Sequence, residues 1–164
     1  LWFNCKLHKG VVFSQYEKNA KNLSLHFRLR DAGSVDLGFY GNDLATKDGV
    51  VTSNAWHNLT FVMDVAAKTR TIYVDGEEKA SDKPETLYVA KTGDTIIGGW
   101  NRVDKGVKKA YQKYIGKVDE VRVWSRVLSK DEIAASMQKG SLMSAASVDS
   151  EGRLTTIWGL LKAN

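Results

Sequence analysis

"GKVDEVRVWSRVLSKDEI", residues 116–133, holds two periodicities in one run. Read with a period of two, Asp119, Val121 and Val123 share one face, while Val118, Glu120, Arg122 and Trp124 take the other. This predicts a strand whose apolar row contains an acid. Ser129-Lys130-Asp131-Glu132 then fits a capping box, in which the Ser129 hydroxyl accepts the Glu132 N–H and the Glu132 carboxylate reaches back. Leu128 and Ile133 are spaced to staple the chain's entry. A short helix is therefore predicted near residues 130–139, with Gly140 suited to the position just past its end.

Working towards the N-terminus, turn signals alternate with period-two segments. "GVVFSQY" is followed by a polar break at Glu17-Lys18-Asn19, "LSLHFRLR" alternates cleanly, and "AGS" leads into "VDLGFYGNDL". "WHNLTFVMD" sets His57, Leu59, Phe61 and Met63 on one face and Trp56, Asn58, Thr60 and Val62 opposite. "TRTIYVDG" ends in Asp75-Gly76, a two-residue hairpin signal, because glycine tolerates positive φ. "TIIGGW" and "YIGKVDEVRVW" add two further strands. With a single proline and turns at short intervals, these segments predict an all-β fold, an antiparallel two-sheet β-sandwich. The small, polar stretch at 141–153 reads as a loop, and 154–161 within "RLTTIWGLL" as a closing strand.

At 164 residues and 43% apolar content, the chain has the size of one domain with a substantial core. No run of 18 apolar residues occurs, and Leu1-Trp2-Phe3-Asn4 lacks a signal-peptide pattern. Because "LWFNCKL" already reads as strand, the expectation is a domain excised from a larger protein. Cys5 is the single cysteine, which excludes an internal disulfide framework and a Cys-rich zinc site. The net charge of +5 raises a nucleic-acid reading, yet the basic residues are dense in "DKGVKKAYQK" alone. A solvated basic loop at 105–113 is the simpler expectation.

Trp56-His57-Asn58-Leu59, Asp64, "TIYVDG" at 71–76, "IIGG" at 96–99 and "YIGKVDEVRVWSRVLSKDEI" at 114–133, in that order, resemble the laminin-G-like, concanavalin A-like lectin/glucanase superfamily. The likeness spans roughly residues 1–140 and implies a jelly roll of two curved antiparallel sheets. It departs at both ends, since the family's usual first strand before "LWF" is absent and the C-terminal segment has no fixed counterpart.

The resemblance also gives Asp119 a reading. In similar jelly rolls an aspartate in this last strand helps hold a structural calcium ion, with backbone carbonyls and a residue near the N-terminus. Calcium takes six to eight oxygens, so one aspartate is not a site. The alternative is a structural carboxylate that accepts backbone amides or meets a basic neighbour such as His57, because a lone buried charge is costly.

The same superfamily contains glycoside hydrolases, whose retaining members place two carboxylates about 5 Å apart. No E-x-D-x-x-E or E-x-D-x-E run is present here. The three histidines sit in no recognisable nucleophile motif. The expectation is a non-catalytic module that binds a glycan or a protein. Sugars stack on aromatic faces and need directional polar partners. Two loops offer that mixture: Tyr40, Asn42 and Asp43 in "FYGNDL", and Trp100, Asn101, Arg102 and Asp104 in "GGWNRVDKG". The competing expectation for both aromatics is structural. Another is an assembly subunit whose 105–113 loop meets an acidic partner or RNA. Sequons at Asn22 and Asn58, the latter on the face opposite Leu59 and Phe61, lean with the resemblance towards an extracellular or cell-surface setting.

Overall fold

The structure is a computed structural model that describes residues 1–18, 20–104 and 107–138, with the side chains of 102–104 and 107–111 outside the description. The expected loop at 141–153, closing strand at 154–161 and helix end at Gly140 all lie outside the described residues.

Two five-stranded antiparallel sheets stack as a jelly-roll sandwich. The first, sheet I, runs β12 (Gly116–Asp119), β1 (Trp2–Cys5), β6 (Trp56–Asp64), β7 (Thr69–Val74), β8 (Glu77–Asp82). Sheet II runs β5 (Asp43–Ala45), β4 (Ser34–Gly38), β3 (Ser24–Arg30), β2 (Gly10–Tyr16), β9 (Asp94–Ile97). A separate hairpin pairs β10 (Trp100–Asp104) with β11 (Val107–Tyr111) and packs on β2.

Alternation decides which side chains meet between the sheets. Phe3 and Cys5 of β1, Leu59 of β6, and Ile72 and Val74 of β7 face Val12 of β2, Leu29 of β3, and Val35 and Leu37 of β4. Phe61 and Met63 continue the inward row read from "WHNLTFVMD". Fully burying each such aliphatic or aromatic side chain contributes about 1.5–3 kcal/mol. Cys5 behaves as a small buried apolar residue, and burial pushes its thiol pKa up. A register shift between Val11 and Phe13 changes the parity of β2. Val12 therefore enters the core and Phe13 packs on Phe27, while Val11 joins Tyr16 on the opposite side of the sheet.

The helix α1 (Lys130–Ser136) starts as its sequence dictates. Glu132 N–H donates to Ser129 Oγ at 3.2 Å, and Ser129 N–H donates to Glu132 Oε2 at 2.8 Å. Leu128 and Ile133 are buried together against Tyr73 and Val62, so the staple pins α1 to the outer face of sheet I. The helix ends at Ser136 with Met137 as its C-cap, earlier than the expected 139.

Several expectations are corrected. The strand from residue 116 ends at Asp119, because Glu120 turns to φ 51°. Val118 packs on the core, while Asp119 is exposed and Val123 is 82% exposed. The acid thus does not stand in an interior row. Val121 instead lines a cleft of about 730 Å³ between the sheets, walled also by Phe13, Phe27, Phe61 and Trp124. Residues 107–111 of the expected basic loop form strand β11. Both sequon asparagines are buried: Asn58 is 4% exposed and accepts from Thr60 Oγ1, and Asn22 is 6% exposed and accepts from Asn42 Nδ2. Among the described residues no helix is long and apolar enough to cross a membrane.

Candidate functional site

The outer face of sheet II, turned away from the core, gathers polar side chains. In "LSLHFRLR", Leu25, Phe27 and Leu29 belong to the core side, which turns Ser24, His26, Arg28 and Arg30 outward. On β4, Val35 and Leu37 point in, so Asp36 and Gly38 point out beside Arg28 and His26, their register partners. Tyr40 and Gly41 then both adopt positive φ, 67° and 71°, and this tight turn returns the chain through β5 with Asp43 opposite Gly38.

Charge on this face is neutralised in a compact group. Asp36, fully buried, accepts from Arg28 Nε at 2.8 Å and from Arg28 Nη2 on one oxygen, and from Arg30 Nε at 2.8 Å on the other. Arg28 Nη2 also lies 3.6 Å from Asp43 Oδ2. The carboxylate of Asp36 raises the Arg30 pKa. His26 is 2% exposed, and burial lowers the pKa of its imidazole against the opposing charge of Asp43.

Trp100 covers this face. Its indole stacks on the His26 ring at 4.8 Å with a 16° interplanar angle, and meets Tyr16 and Tyr40 edge-on at 6.4 and 6.2 Å. The two loops singled out in the sequence are therefore neighbours, joined through the Tyr40–Trp100 contact. They differ in availability. Trp100 is 6% exposed, buried over the outer face of sheet II and not over the core. Tyr40 is half-buried and Asp43 exposed. Asn42 turns away, its Nδ2 donating at 2.7 Å both to Asn22 Oδ1 and to the Thr86 carbonyl. Asn101 is half-buried, and the side chains of Arg102 and Asp104 lie outside the described residues. Asp119 lies on sheet I and accepts the Glu120 N–H at 2.8 Å.

A buried cation fixes the Tyr40–Asp43 turn from beneath. Arg70 of β7, 2% exposed, donates from Nε and Nη2 to the two oxygens of Asp82 at 2.7 and 2.9 Å. Its Nη1 donates to the Asn42 carbonyl at 2.8 Å, and its guanidinium carbon lies 4.9 Å from the Phe39 ring centroid. Sheet I thereby holds a turn that sheet II presents.

One other cluster was not visible in the sequence. Asp75 Oδ2 lies 2.7 Å from His57 Nδ1, and His57 Nε2 lies 3.0 Å from both Thr52 N and Thr52 Oγ1. The order Asp, His, hydroxyl resembles a nucleophile-activating relay. The Thr52 N–H donates into Nε2, however, so the lone pair a general base needs is engaged. Asp75 Oδ1 accepts the Asn58 N–H at 2.7 Å, so the group clamps β6 to the β7–β8 turn. The interior cleft, for its part, is lined by none of Tyr40, Asn42, Asp43, Trp100, Asn101 or Asp119.

Sequence signals for His26, Arg28 and Arg30 were present, since "LSLHFRLR" places them on one face. What the pattern lacks is the partner strand that brings Asp36 and Asp43 to them.

Known proteins share this fold. A family model described as the concanavalin A-like lectin/glucanases superfamily matches residues 1–134. Among solved structures, the Ruminococcus gnavus IT-sialidase CBM40 bound to α2,3-sialyllactose superposes with a TM-score of 0.68 at 18% identity, covering 82% of this chain and 78% of that one. A putative carbohydrate-binding protein from Bacteroides ovatus gives 0.60 at 20% identity, covering 81% of this chain and 38% of that one. The native heptameric SAP-like pentraxin from Limulus polyphemus gives 0.57 at 14% identity, with 82% and 65% covered. Among curated proteins none matches in sequence.

Proposed function

Because the chain belongs to the concanavalin A-like lectin/glucanases superfamily, we propose that it is a non-catalytic module that recognises carbohydrate through the outer face of sheet II. The observation that carries this reading is the contact of Tyr40 with the Trp100 cover at the turn that leads into Asp43, with Arg28 and Arg30 turned outward along the same sheet face. Tyr40 supplies a half-open aromatic face for the weakly apolar C–H side of a pyranose. Arg30, whose side chain is 49% exposed, supplies donors for hydroxyls or a sugar carboxylate, and Asp43 supplies acceptors. Asn42 and Trp100 shape the site by holding the turn and the cover. Asn101, next to Trp100 on β10, extends it.

Solved relatives described as carbohydrate-binding support this class of ligand, and the one bound to sialyllactose makes an acidic sugar the first to try. The test is a glycan array followed by calorimetry with sialyllactose and lactose on the wild type, Tyr40→Ala and Arg30→Ala. Tyr40→Ala should weaken binding by more than about 1 kcal/mol, the scale of truncating an aromatic anchor at a binding interface. Arg30→Ala should weaken sialyllactose more than lactose. Absence of glycan binding by the wild type, or affinities unmoved by Tyr40→Ala, would overturn the reading.

Calcium is a separate part of the proposal. Asp119 offers one exposed carboxylate, and among the described residues it belongs to no cluster of three ligating side chains. A calcium ion there would take most of its oxygens from carbonyls and water. Supporting results would be bound calcium by metal analysis and an unfolding temperature raised by calcium and lowered by a chelator. A setting outside the cell, within a larger protein, accords with this recognition role and is tested by locating the full-length product in fractionated cells and medium.

A further inference from the structure

We propose that the outer face of sheet II carries a binding site for a divalent transition-metal cation of the zinc class, formed by His26, Asp43 and Asp36. One ligand atom from each of these residues lies within 4.8 Å of the others, although they come from three different strands. A cation at the usual 2.0–2.2 Å holds tetrahedral ligand atoms about 3.3–3.6 Å apart, so the three side chains would close in by up to about 1.5 Å from that upper spacing on binding.

Three independent observations support it. First, His26 is 98% removed from solvent, yet neither ring nitrogen makes a well-formed hydrogen bond among the described residues, the Ser24 backbone being its one weak partner. A buried imidazole normally has both satisfied. Second, the missing side chain of Gly38 lets two of the ligand residues approach the same point. A Cβ on Gly38 would stand 1.9 Å from His26 Nε2 and 2.7 Å from Asp43 Oδ1, so both ligand atoms are aimed over a residue that has no side chain. Third, the arginines leave ligand capacity. Asp43 turns Oδ2 towards Arg28 and keeps Oδ1 over Gly38. Asp36 Oδ1 accepts from Arg30 Nε and retains a second lone pair. Arg28 and Arg30 then act as the hydrogen-bonded outer layer that orients ligating carboxylates in metal sites.

Ligand chemistry selects the cation. A nitrogen ligand with two carboxylates, and a fourth position for water, suits zinc, cobalt or nickel better than calcium, which prefers six to eight oxygens. Exposed Asp43 provides the way in from solvent, while Trp100 closes the site over His26. The site is distinct from Asp119, which lies on sheet I.

The test titrates zinc chloride into the chelator-treated full chain by calorimetry, and repeats it with cobalt chloride while recording the visible spectrum and tryptophan fluorescence. The expected result is about one equivalent bound, cobalt bands characteristic of nitrogen–oxygen coordination, and quenching of the Trp100 component, absent in Trp100→Phe. His26→Gln and Asp43→Asn should each weaken zinc binding by at least about tenfold, while His8→Gln leaves it unchanged. Asp43 is exposed, so Asp43→Asn decides the matter if His26→Gln fails to fold. No binding by the wild type, unchanged affinity in Asp43→Asn, or loss confined to His8→Gln would overturn the proposal.

Discussion

Replacing Arg70 by methionine isolates the interaction that joins the two sheets beneath the recognition turn. The substitution keeps most of the side-chain volume, so the loss is in polar contacts and not in packing. Gone are two hydrogen bonds to Asp82, one to the Asn42 carbonyl, and the guanidinium over Phe39. Breaking a buried charge pair typically costs roughly 3–5 kcal/mol. The side chain of Asp82 is 36% exposed, so its released carboxylate recovers water, and we place the cost at about 2–3 kcal/mol. For a chain of 164 residues this corresponds to an unfolding temperature lowered by about 5–10 °C. Thermal unfolding followed by circular dichroism measures it. A double-mutant cycle with Asp82→Asn should return a coupling of about 1–2 kcal/mol, since the two side chains touch. Hydrogen exchange should also quicken at residues 40–43, because the Asn42 carbonyl loses its anchor. A fall of less than about 2 °C, or additive single mutants, would refute the bridging role.

Gly38→Ala should cost about 1–3 kcal/mol in urea unfolding, because its Cβ would meet His26 Nε2 at 1.9 Å and force the ring out from beneath Trp100. Ser129→Ala should cost about 1 kcal/mol as the N-cap is lost, read from the shift in urea midpoint at constant slope. Glu132 carries a pH signature: hydrogen bonds from Arg126 and the Ser129 N–H depress its folded pKa to about 2, below the ordinary 4.5. The depressed value means that its contribution is fully present above about 4.5 and fades as pH falls towards 2. The unfolding-temperature gap between wild type and Glu132→Gln should therefore be constant from pH 7 to 5 and narrow below that. A gap that widened on acidification would contradict the pairing.

Local signals were legible. The capping box and its staple appear as read, because both depend on residues at most five positions apart. The inward row of β6 also appears as read, since alternation is a property of a single strand. Errors arose where a distant segment decides the outcome. Alternation sets Asn58 on the face opposite Leu59, yet Asp75, seventeen positions away, accepts its N–H and the outer face of sheet I is occupied. Alternation carried through Glu120 groups Asp119 with Val121 and Val123, but the left-handed backbone of Glu120 ends the strand. The segment of Trp100 reads as a loop because nothing within it shows that the β10–β11 hairpin lies on β2.

The outer face of sheet II is where stability alone fails to explain the residues present. A sheet face covered by an indole could be apolar, as the second small cluster of Val11, Tyr16 and Trp100 begins to be. Exchanging a buried ion group for apolar residues of similar volume is often neutral or stabilising, so folding does not require Asp36 to lie fully buried between two arginines. Nor does it require a buried histidine whose ring nitrogens make no well-formed hydrogen bond. The arrangement does achieve fixed orientation, with Arg28 and Arg30 held by one carboxylate and Asp43 held by Arg28. Fixed donors and acceptors beside a half-open tyrosine are what directional recognition of hydroxyl-rich ligands needs, because groups already ordered lose little entropy on binding. The unfavourable local energetics and the proposed role thus point to the same side chains.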